Sequence, residues 1–218
     1  MSWGVRREFG RKLIHLFSLS FILVYLTFNT LFTHRMALLM LSFMLIILLE
    51  IEYIRIELKP RIPILSDLWK RYRRTHEKKA LGGEVFFLIG AIITLAIFDV
   101  RVAVAGILMT TFGDTAAALF GKLGKIQLIK GRNLEGIIAE FFVNFIICFF
   151  VLRDDAGKEV LNYLMLQGDP IWTTIFVMST SATFIETIVT KLDDNLLVPL
   201  FSGFLGHLTL LLKNFNII

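Results

Sequence analysis

A carboxylate, Asp114, interrupts an apolar segment of membrane length, and glycines and lysines follow it closely. An ionised Asp near the middle of a membrane-spanning helix costs about 2.5–3.5 kcal/mol, so it needs a compensating partner such as a metal ion. Gly121 and Gly124 allow the backbone to approach a polyanion closely, and Lys122 and Lys125 would neutralise it. This pattern predicts phosphate chemistry at a membrane surface.

Other acidic and polar residues lie at the ends of later apolar segments. Glu135 opens the fifth segment, and Glu140 and Asn144 continue one face of it, four residues apart. Glu186 lies in the sixth segment and the run 193–195, Asp-Asp-Asn, follows at its exit. Any one acid could be a helix-terminal carboxylate, because an N-terminal turn favours negative charge. Because all these residues are expected at the same membrane leaflet, a common site explains them better than separate structural roles.

A further polar group lies at the start of the first apolar segment. Glu8, Arg11 and His15 share one face of a helix entering the membrane, with Lys12 beside Glu8. An isolated group of this kind would be an interfacial ion pair with snorkelling Lys and Arg side chains, but His15 lies too deep for that interpretation alone. We therefore expect Arg11, Lys12 and His15 to hold phosphate or to orient an acceptor hydroxyl.

The composition predicts an integral membrane protein. Of the 218 residues, 56% are hydrophobic and 19% charged, and the mean hydropathy of +0.73 is far too high for a soluble domain of this length. Most of the apolar segments approach the ~20 residues that a bilayer requires, although the third and seventh are short, and in lipid such segments must be helices. The seven segments are about 13–32, 36–56, 83–98, 102–120, 134–152, 171–189 and 196–212.

The charge distribution predicts the orientation of these spans. Most of the 23 Lys and Arg residues fall in segments that are cytoplasmic if the amino terminus is inside. The fold class is thus an all-α polytopic transmembrane bundle of about seven spans, N-in and C-out, with residues 1–218 forming one domain. The net charge of +5 is explained by the membrane topology and by attraction of basic residues to anionic lipid headgroups, so no nucleic-acid partner is expected. The basic run 70–74, Lys-Arg-Tyr-Arg-Arg, either contacts lipid headgroups or binds a phosphorylated substrate.

Taken in order, these motifs resemble the dolichol kinase, phytol kinase and CTP-dependent diacylglycerol kinase family. The resemblance extends from residue 6 to about residue 203. Its motifs are Arg11-Lys12 with His15; Gly113 to Ala118, Gly121-Lys122 and Gly124-Lys125; Leu134-Glu135-Gly136; and Glu186 with Asp193 to Leu196 and Pro199. It implies a membrane enzyme that transfers the terminal phosphate of CTP to a lipid alcohol. One departure is Arg132-Asn133, where the family tends to have Lys-Ser.

Phosphoryl transfer assigns roles to these residues, because it requires carboxylates for Mg²⁺, cations for the triphosphate and a group that accepts the hydroxyl proton. The expected catalytic residues are Asp114, Glu135 and His15, and the expected Mg²⁺ ligands are Asp114 and Asp194. Predicted nucleotide contacts are Gly113, Thr115, Gly121, Lys122, Gly124, Lys125, Arg132 and Asn195. Predicted substrate or phosphate contacts are Arg11, Lys12 and Glu186. The sequence has no Walker A motif, which excludes a P-loop.

Two other functions remain open from the sequence. A cytidylyltransferase-type lipid enzyme is distantly similar, but the carboxy-terminal Pro-Gly-His-Gly-Gly type of signature of phosphatidate cytidylyltransferases is absent. A transporter would also contain intramembrane acids, yet no inverted repeat is visible. The expected location is the cell membrane, with the active site facing the cytoplasm. The acceptor (dolichol or polyprenol, phytol, diacylglycerol), the nucleotide (CTP, UTP, ATP) and the oligomeric state stay undetermined.

Overall fold

The computed structural model describes residues 19–58, 81–129, 132–153, 169–189 and 192–215. Within these ranges the chain forms seven α-helices and one two-stranded antiparallel hairpin. The helices are α1 (Leu19–Leu31), α2 (His34–Tyr53, continued by a π-helical turn, Ile54–Leu58), α3 (Gly83–Ile97), α4 (Val100–Leu123), α5 (Leu134–Val151), α6 (Trp172–Ile188) and α7 (Asp194–Asn214). The strands are β1 (Gln127–Ile129) and β2 (Arg132–Asn133).

Each helix coincides with one of the predicted apolar segments, so the all-α fold is confirmed, with the small hairpin as an addition that the sequence did not predict. Four helical segments are long and apolar enough to cross a membrane: His34–Glu57, Val100–Leu123, Leu134–Val151 and Asp194–Asn214. The expectation of a short seventh segment is wrong, because α7 has 21 residues and begins at Asp194, where the Asp193 side chain caps it. Seven spans and the N-in orientation stay predictions.

The chain divides into two compact units, Met1–Ile89 and Gly90–Ile218. In the first unit α1 packs against α2, and Tyr25, which is fully buried, shares a 2.8 Å hydrogen bond with His34 Nδ1. In the second unit α4, α5, α6 and α7 form a closed ring of four helices, each packed against the next, with α7 returning to α4. This second unit contains the candidate site. The prediction of a single domain stays a prediction.

Helix α5 has its polar residues on the inside and its apolar residues on the outside. Its buried residues recur at every fourth position: Gly136, Glu140, Asn144 and Cys148. Its exposed large residues also recur at every fourth position: Ile138, Phe142, Ile146 and Phe150. A helix in water has the opposite arrangement, whereas lipid solvates the apolar face and leaves polar side chains to face the bundle interior. The pattern is that of a membrane protein.

An ion pair fixes the start of α4, remote from the candidate site. Asp99 Oδ1 caps the helix by accepting hydrogen bonds from the Arg101 backbone N–H and from Arg101 Nε, both at 2.9 Å. Arg101 Nη1 donates to the Arg153 carbonyl at 2.9 Å and so ties this end of α4 to the end of α5. Burial alone would raise the pKa of Asp99, but the hydrogen bonds and charge of Arg101 hold it below its ordinary value.

Candidate functional site: a carboxylate cluster between three helices

Three carboxylates from three helices converge in the second unit. Asp114 lies in the second half of α4, Glu186 in the last turn of α6 and Asp194 in the first turn of α7. One oxygen from each can be chosen so that all three lie within 4.8 Å of one another. Glu186 is buried, while Asp114 and Asp194 are half-buried. Negative charges at such spacing repel each other, so a bound cation would stabilise the arrangement.

The donor set fits Mg²⁺ by its chemistry. Carboxylate oxygens are the ligands that this ion prefers, and it usually takes one or two of them together with water and substrate phosphates. Opposite ligands of an octahedral Mg²⁺ lie about 4.2 Å apart. The observed 4.8 Å spread therefore needs only a small side-chain adjustment. Asp114 and Asp194 were predicted as ligands, and the structure adds Glu186 to the same cluster.

Arg132, in β2, lies beside this cluster. Its Nη1 atom is 2.7 Å from Glu186 Oε1 and 3.7 Å from Oε2 of Glu140, a residue of α5. Burial alone would lower the pKa of Arg132, but the carboxylates of Glu186, Glu140 and Asp114 raise it above its usual value. The guanidinium is therefore a permanent positive charge at the edge of an acidic site.

The segment between α4 and α5 is tied down by two side chains of the predicted motif. Asn133 Nδ2 donates to the carbonyls of Gly121 at 2.6 Å and Gly124 at 3.1 Å. Glu135 Oε1 accepts from the backbone N–H of Lys125 at 2.8 Å and, at 3.3 Å, from that of the next residue. Since this oxygen already accepts two hydrogen bonds and Glu135 is not a member of the carboxylate cluster, the structure shows a loop-fixing contact for it. Its catalytic role stays a prediction.

Glycines in this region permit close approach of α4 and α5. A Cβ atom on Gly136 would lie 2.7 Å from the Ala117 carbonyl oxygen and 2.9 Å from Gly121 Cα. A Cβ atom on Gly113 would contact the Asn144 side chain. Real Cβ atoms essentially never approach other atoms so closely. Gly113, predicted as a nucleotide contact, thus has a packing reason as well, whereas a Cβ atom on Gly121 would meet Gly136 Cα at an ordinary 3.7 Å.

Polar side chains continue inward from the cluster along α5 and α6. Asn144, one turn after Glu140, is buried and donates from Nδ2 to Thr183 Oγ1 at 3.2 Å. Thr183 lies one turn before Glu186. The candidate site is therefore the outer part of a polar column between these helices, whose outward surfaces are apolar.

The start of α7 positions Asp194. Asp193 Oδ1 accepts from the Asn195 backbone N–H at 3.0 Å and from Asn195 Nδ2 at 2.8 Å. These contacts fix the first turn of the helix, from which Asp194 projects. Asn195 is buried, and its predicted nucleotide contact stays a prediction.

Comparison with known proteins adds relatives to this geometry. The sequence is 30% identical over 157 residues to CTP-dependent diacylglycerol kinase 1 of Schizosaccharomyces pombe, covering 67% of this chain and 70% of the relative. The chain belongs to the CTP-dependent diacylglycerol kinase and dolichol kinase family. The sequence is also 27% identical over 161 residues to the dolichol kinase of Saccharomyces cerevisiae, and this match spans 29% of the length of that kinase.

An uncharacterized protein of Methanocaldococcus jannaschii is 32% identical over 148 residues, a match that covers 66% of each chain. No family model matches the sequence, and no solved structure matches it. The family assignment confirms the resemblance inferred from the motifs.

For this family member, the structure brings together four of the predicted site residues, namely Asp114, Arg132, Glu186 and Asp194. Lys122 and Lys125 are exposed at the end of α4 and just beyond it, and Thr115 donates its hydroxyl to the Thr111 carbonyl at 2.8 Å.

The remaining predicted residues lie elsewhere. Arg11, Lys12, His15 and the basic run 70–74 lie outside the described residues. The sequence interpretation gave Glu140 no role, although its four-residue spacing to Asn144 was the signal that could have placed it on the site-facing side of α5.

Proposed function

We propose that the protein is a membrane lipid kinase that transfers the terminal phosphate of a nucleoside triphosphate, CTP, to the hydroxyl of a lipid alcohol. The observation that carries the proposal is the convergence of Asp114, Glu186 and Asp194, from three helices, within 4.8 Å. The names of the relatives supply the reaction class, and the lipid-facing surface of the bundle supplies access for an apolar acceptor.

In this proposal Asp114, Glu186 and Asp194 would hold Mg²⁺, which would supply positive charge for the phosphates during phosphoryl transfer. Arg132 and the exposed Lys122 and Lys125 supply further positive charge for the triphosphate.

The remaining residues of the site position these groups. Asn133 and Glu135 hold the segment that carries Lys125, so its backbone N–H groups and lysine are fixed before the nucleotide arrives. The predicted orientation places the site at the cytoplasmic leaflet of the cell membrane, where cytosolic nucleotides and the lipid hydroxyl meet.

The test is product analysis with purified protein in detergent. CTP, UTP and ATP, each labelled on the terminal phosphate, are offered with dolichol, a shorter polyprenol, phytol and diacylglycerol in the presence of MgCl₂. A kinase yields a labelled lipid phosphate and a nucleoside diphosphate. Release of pyrophosphate with a nucleotide-linked lipid would instead identify a cytidylyltransferase, and the absence of both products would contradict the proposal.

Asp114→Asn tests the metal site directly. The substitution preserves shape and removes the charge, so we expect turnover to fall by well over tenfold, equivalent to more than about 1.4 kcal/mol of transition-state stabilisation. Asp169→Asn is the matched control, because Asp169 is an exposed acid outside the cluster. Melting temperature and gel-filtration profile verify that both variants fold. If Asp114→Asn keeps more than about a tenth of wild-type turnover, Asp114 is not a metal ligand.

A further inference from the structure

Glu140, on α5, is a buried carboxylate that is not a member of the carboxylate cluster. It has no exposed surface, and among the described residues neither of its oxygens accepts a hydrogen bond. A buried carboxylate without a partner is strongly unfavourable. Among the described residues its basic neighbour is Arg132, whose Nη1 atom lies 3.7 Å from Glu140 Oε2.

Arg132 is held on one side only. Its Nη1 atom approaches both Glu186 and Glu140, which belong to different helices. Within the described part of the chain, Nη1 also makes the only hydrogen bond of this guanidinium, to Glu186. The side chain keeps 26% of its surface exposed. An arginine carries five N–H donors, so Nε and Nη2 retain donors for a ligand.

We propose that Glu140 is a positioning residue for Arg132: together with Glu186 it fixes the Nη1 side of the guanidinium, so that the remaining N–H groups bind the terminal phosphate of the nucleotide. This inference rests on the proposed function. A planar guanidinium matches two phosphate oxygens at once, provided that its orientation is fixed. Because Glu186 belongs to both the arginine contact and the carboxylate cluster, the bound phosphate would lie next to the metal.

The sign of the effect distinguishes positioning from simple electrostatics. Glu140→Gln replaces an acidic group near an anion-binding site, and the loss of negative charge there would by itself make polyphosphate bind more tightly. If Glu140 acts by orienting Arg132, the same substitution weakens binding, because the guanidinium loses one of its two anchors. A role in packing alone would leave affinity for a polyanion unchanged.

The experiment is a double-mutant cycle on polyphosphate binding. Wild type, Arg132→Ala, Glu140→Gln and the double variant are titrated in detergent with inorganic tripolyphosphate in the presence of MgCl₂. We expect each single substitution to raise Kd about tenfold, because each one costs the charge-assisted hydrogen bond that a correctly oriented Arg132 would donate to phosphate. The double variant should bind no more weakly than Arg132→Ala alone, since Glu140 has nothing left to position.

Two results would overturn the inference: unchanged or tighter binding by Glu140→Gln, or a double variant whose loss equals the product of the single losses. Glu140→Asp, which keeps the charge but withdraws it by one CH₂, serves as the second variant if the glutamine protein does not fold. The same non-additivity is expected for it. Asp99→Asn, which removes the carboxylate partner of Arg101 at the start of α4, is the matched control and should leave Kd unchanged.

This measurement is independent of turnover. If no lipid phosphate forms but the cycle is non-additive, the proposed function fails and the role of Glu140 stands. If lipid phosphate forms but the cycle is additive, the proposed function stands and the role of Glu140 fails.

Discussion

Gly136→Ala tests whether close approach of α4 and α5 builds the site. The new Cβ atom would lie 2.7 Å from the Ala117 carbonyl oxygen and 2.9 Å from Gly121 Cα, whereas ordinary contacts begin at 3.4 Å. Both neighbours are backbone atoms, so no side-chain rotation relieves the clash. The two helices must separate by roughly half an ångström or more in an interior that has few voids.

The expected cost follows from this geometry. Overpacking of a well-packed interior costs about 1–3 kcal/mol, and two backbone contacts under 3.0 Å put Gly136→Ala in the upper part of that range, at about 2–3 kcal/mol. The higher helix propensity of Ala recovers about 1 kcal/mol, which leaves a net cost of about 1–2 kcal/mol. For a chain of this size each kcal/mol corresponds to about 2–4 °C in Tm, so we expect Tm to fall by about 2–8 °C. Turnover should fall too, because Asp114 on α4 shifts relative to the α5 side of the site, where Glu140 lies beside Arg132.

The assay is thermal unfolding in detergent, with Gly121→Ala as the matched control. Gly121 faces the same helix contact, but a Cβ atom there would meet only Gly136 Cα, at an ordinary 3.7 Å. Its Tm should stay the same or rise slightly. Equal Tm values for Gly136→Ala and wild type, or a fall in Gly121→Ala as large as that in Gly136→Ala, would refute the reasoning.

Three further predictions concern charge. Lys122→Ala and Lys125→Ala should each raise the nucleotide KM with less effect on the acceptor KM. Steady-state kinetics with each substrate varied in turn measures both constants. Unchanged nucleotide KM and kcat in both variants would show that this segment does not bind the phosphates. Arg101 lowers the pKa of Asp99 in the folded protein below the value of about 3.9 that Asp has in the unfolded chain. The ionised Asp99 carboxylate therefore stabilises the folded protein fully above that unfolded pKa, and this contribution is lost as pH falls through the folded pKa. Asp99→Asn should therefore lower Tm at pH 7 and make the fall of Tm with decreasing pH less steep below about pH 4. Parallel plots of Tm against pH for the variant and the wild type would contradict this role of Asp99. A reporter fused after Ile218 should lie on the outer face, and a cytoplasmic signal would mean a miscounted span.

The helices were predictable because their signal is local. An apolar run of membrane length has one stable backbone conformation in lipid, so each segment became a helix close to its expected bounds. The hairpin was not predictable in the same way, since β1 and β2 have only three and two residues and depend on Asn133 and Glu135 contacts.

The candidate site was only partly predictable, because its geometry depends on packing between helices. Asp114 and Asp194 were expected to bind metal from their residue types and neighbouring motifs. Glu186 was assigned a phosphate contact, since nothing in the sequence shows that the end of α6 meets the start of α7 at Asp194. Glu140 was noticed only as part of a helix face, because its charge partner, Arg132, reaches it through the hairpin.

The reversed polarity of α5 has a consequence for biogenesis. With a mean hydropathy of 2.1, this helix is apolar enough to leave the translocon for the bilayer on its own. At that moment Glu140 and Asn144 still lack the neighbours that bury them. Arg132 is made just before α5, but Glu186 and Thr183 belong to α6, which is synthesised later. Between the two insertion events the nascent protein carries an unsheltered polar stripe within the lipid. That stripe is a signal by which a membrane chaperone or protease could distinguish an unfinished bundle from a complete one.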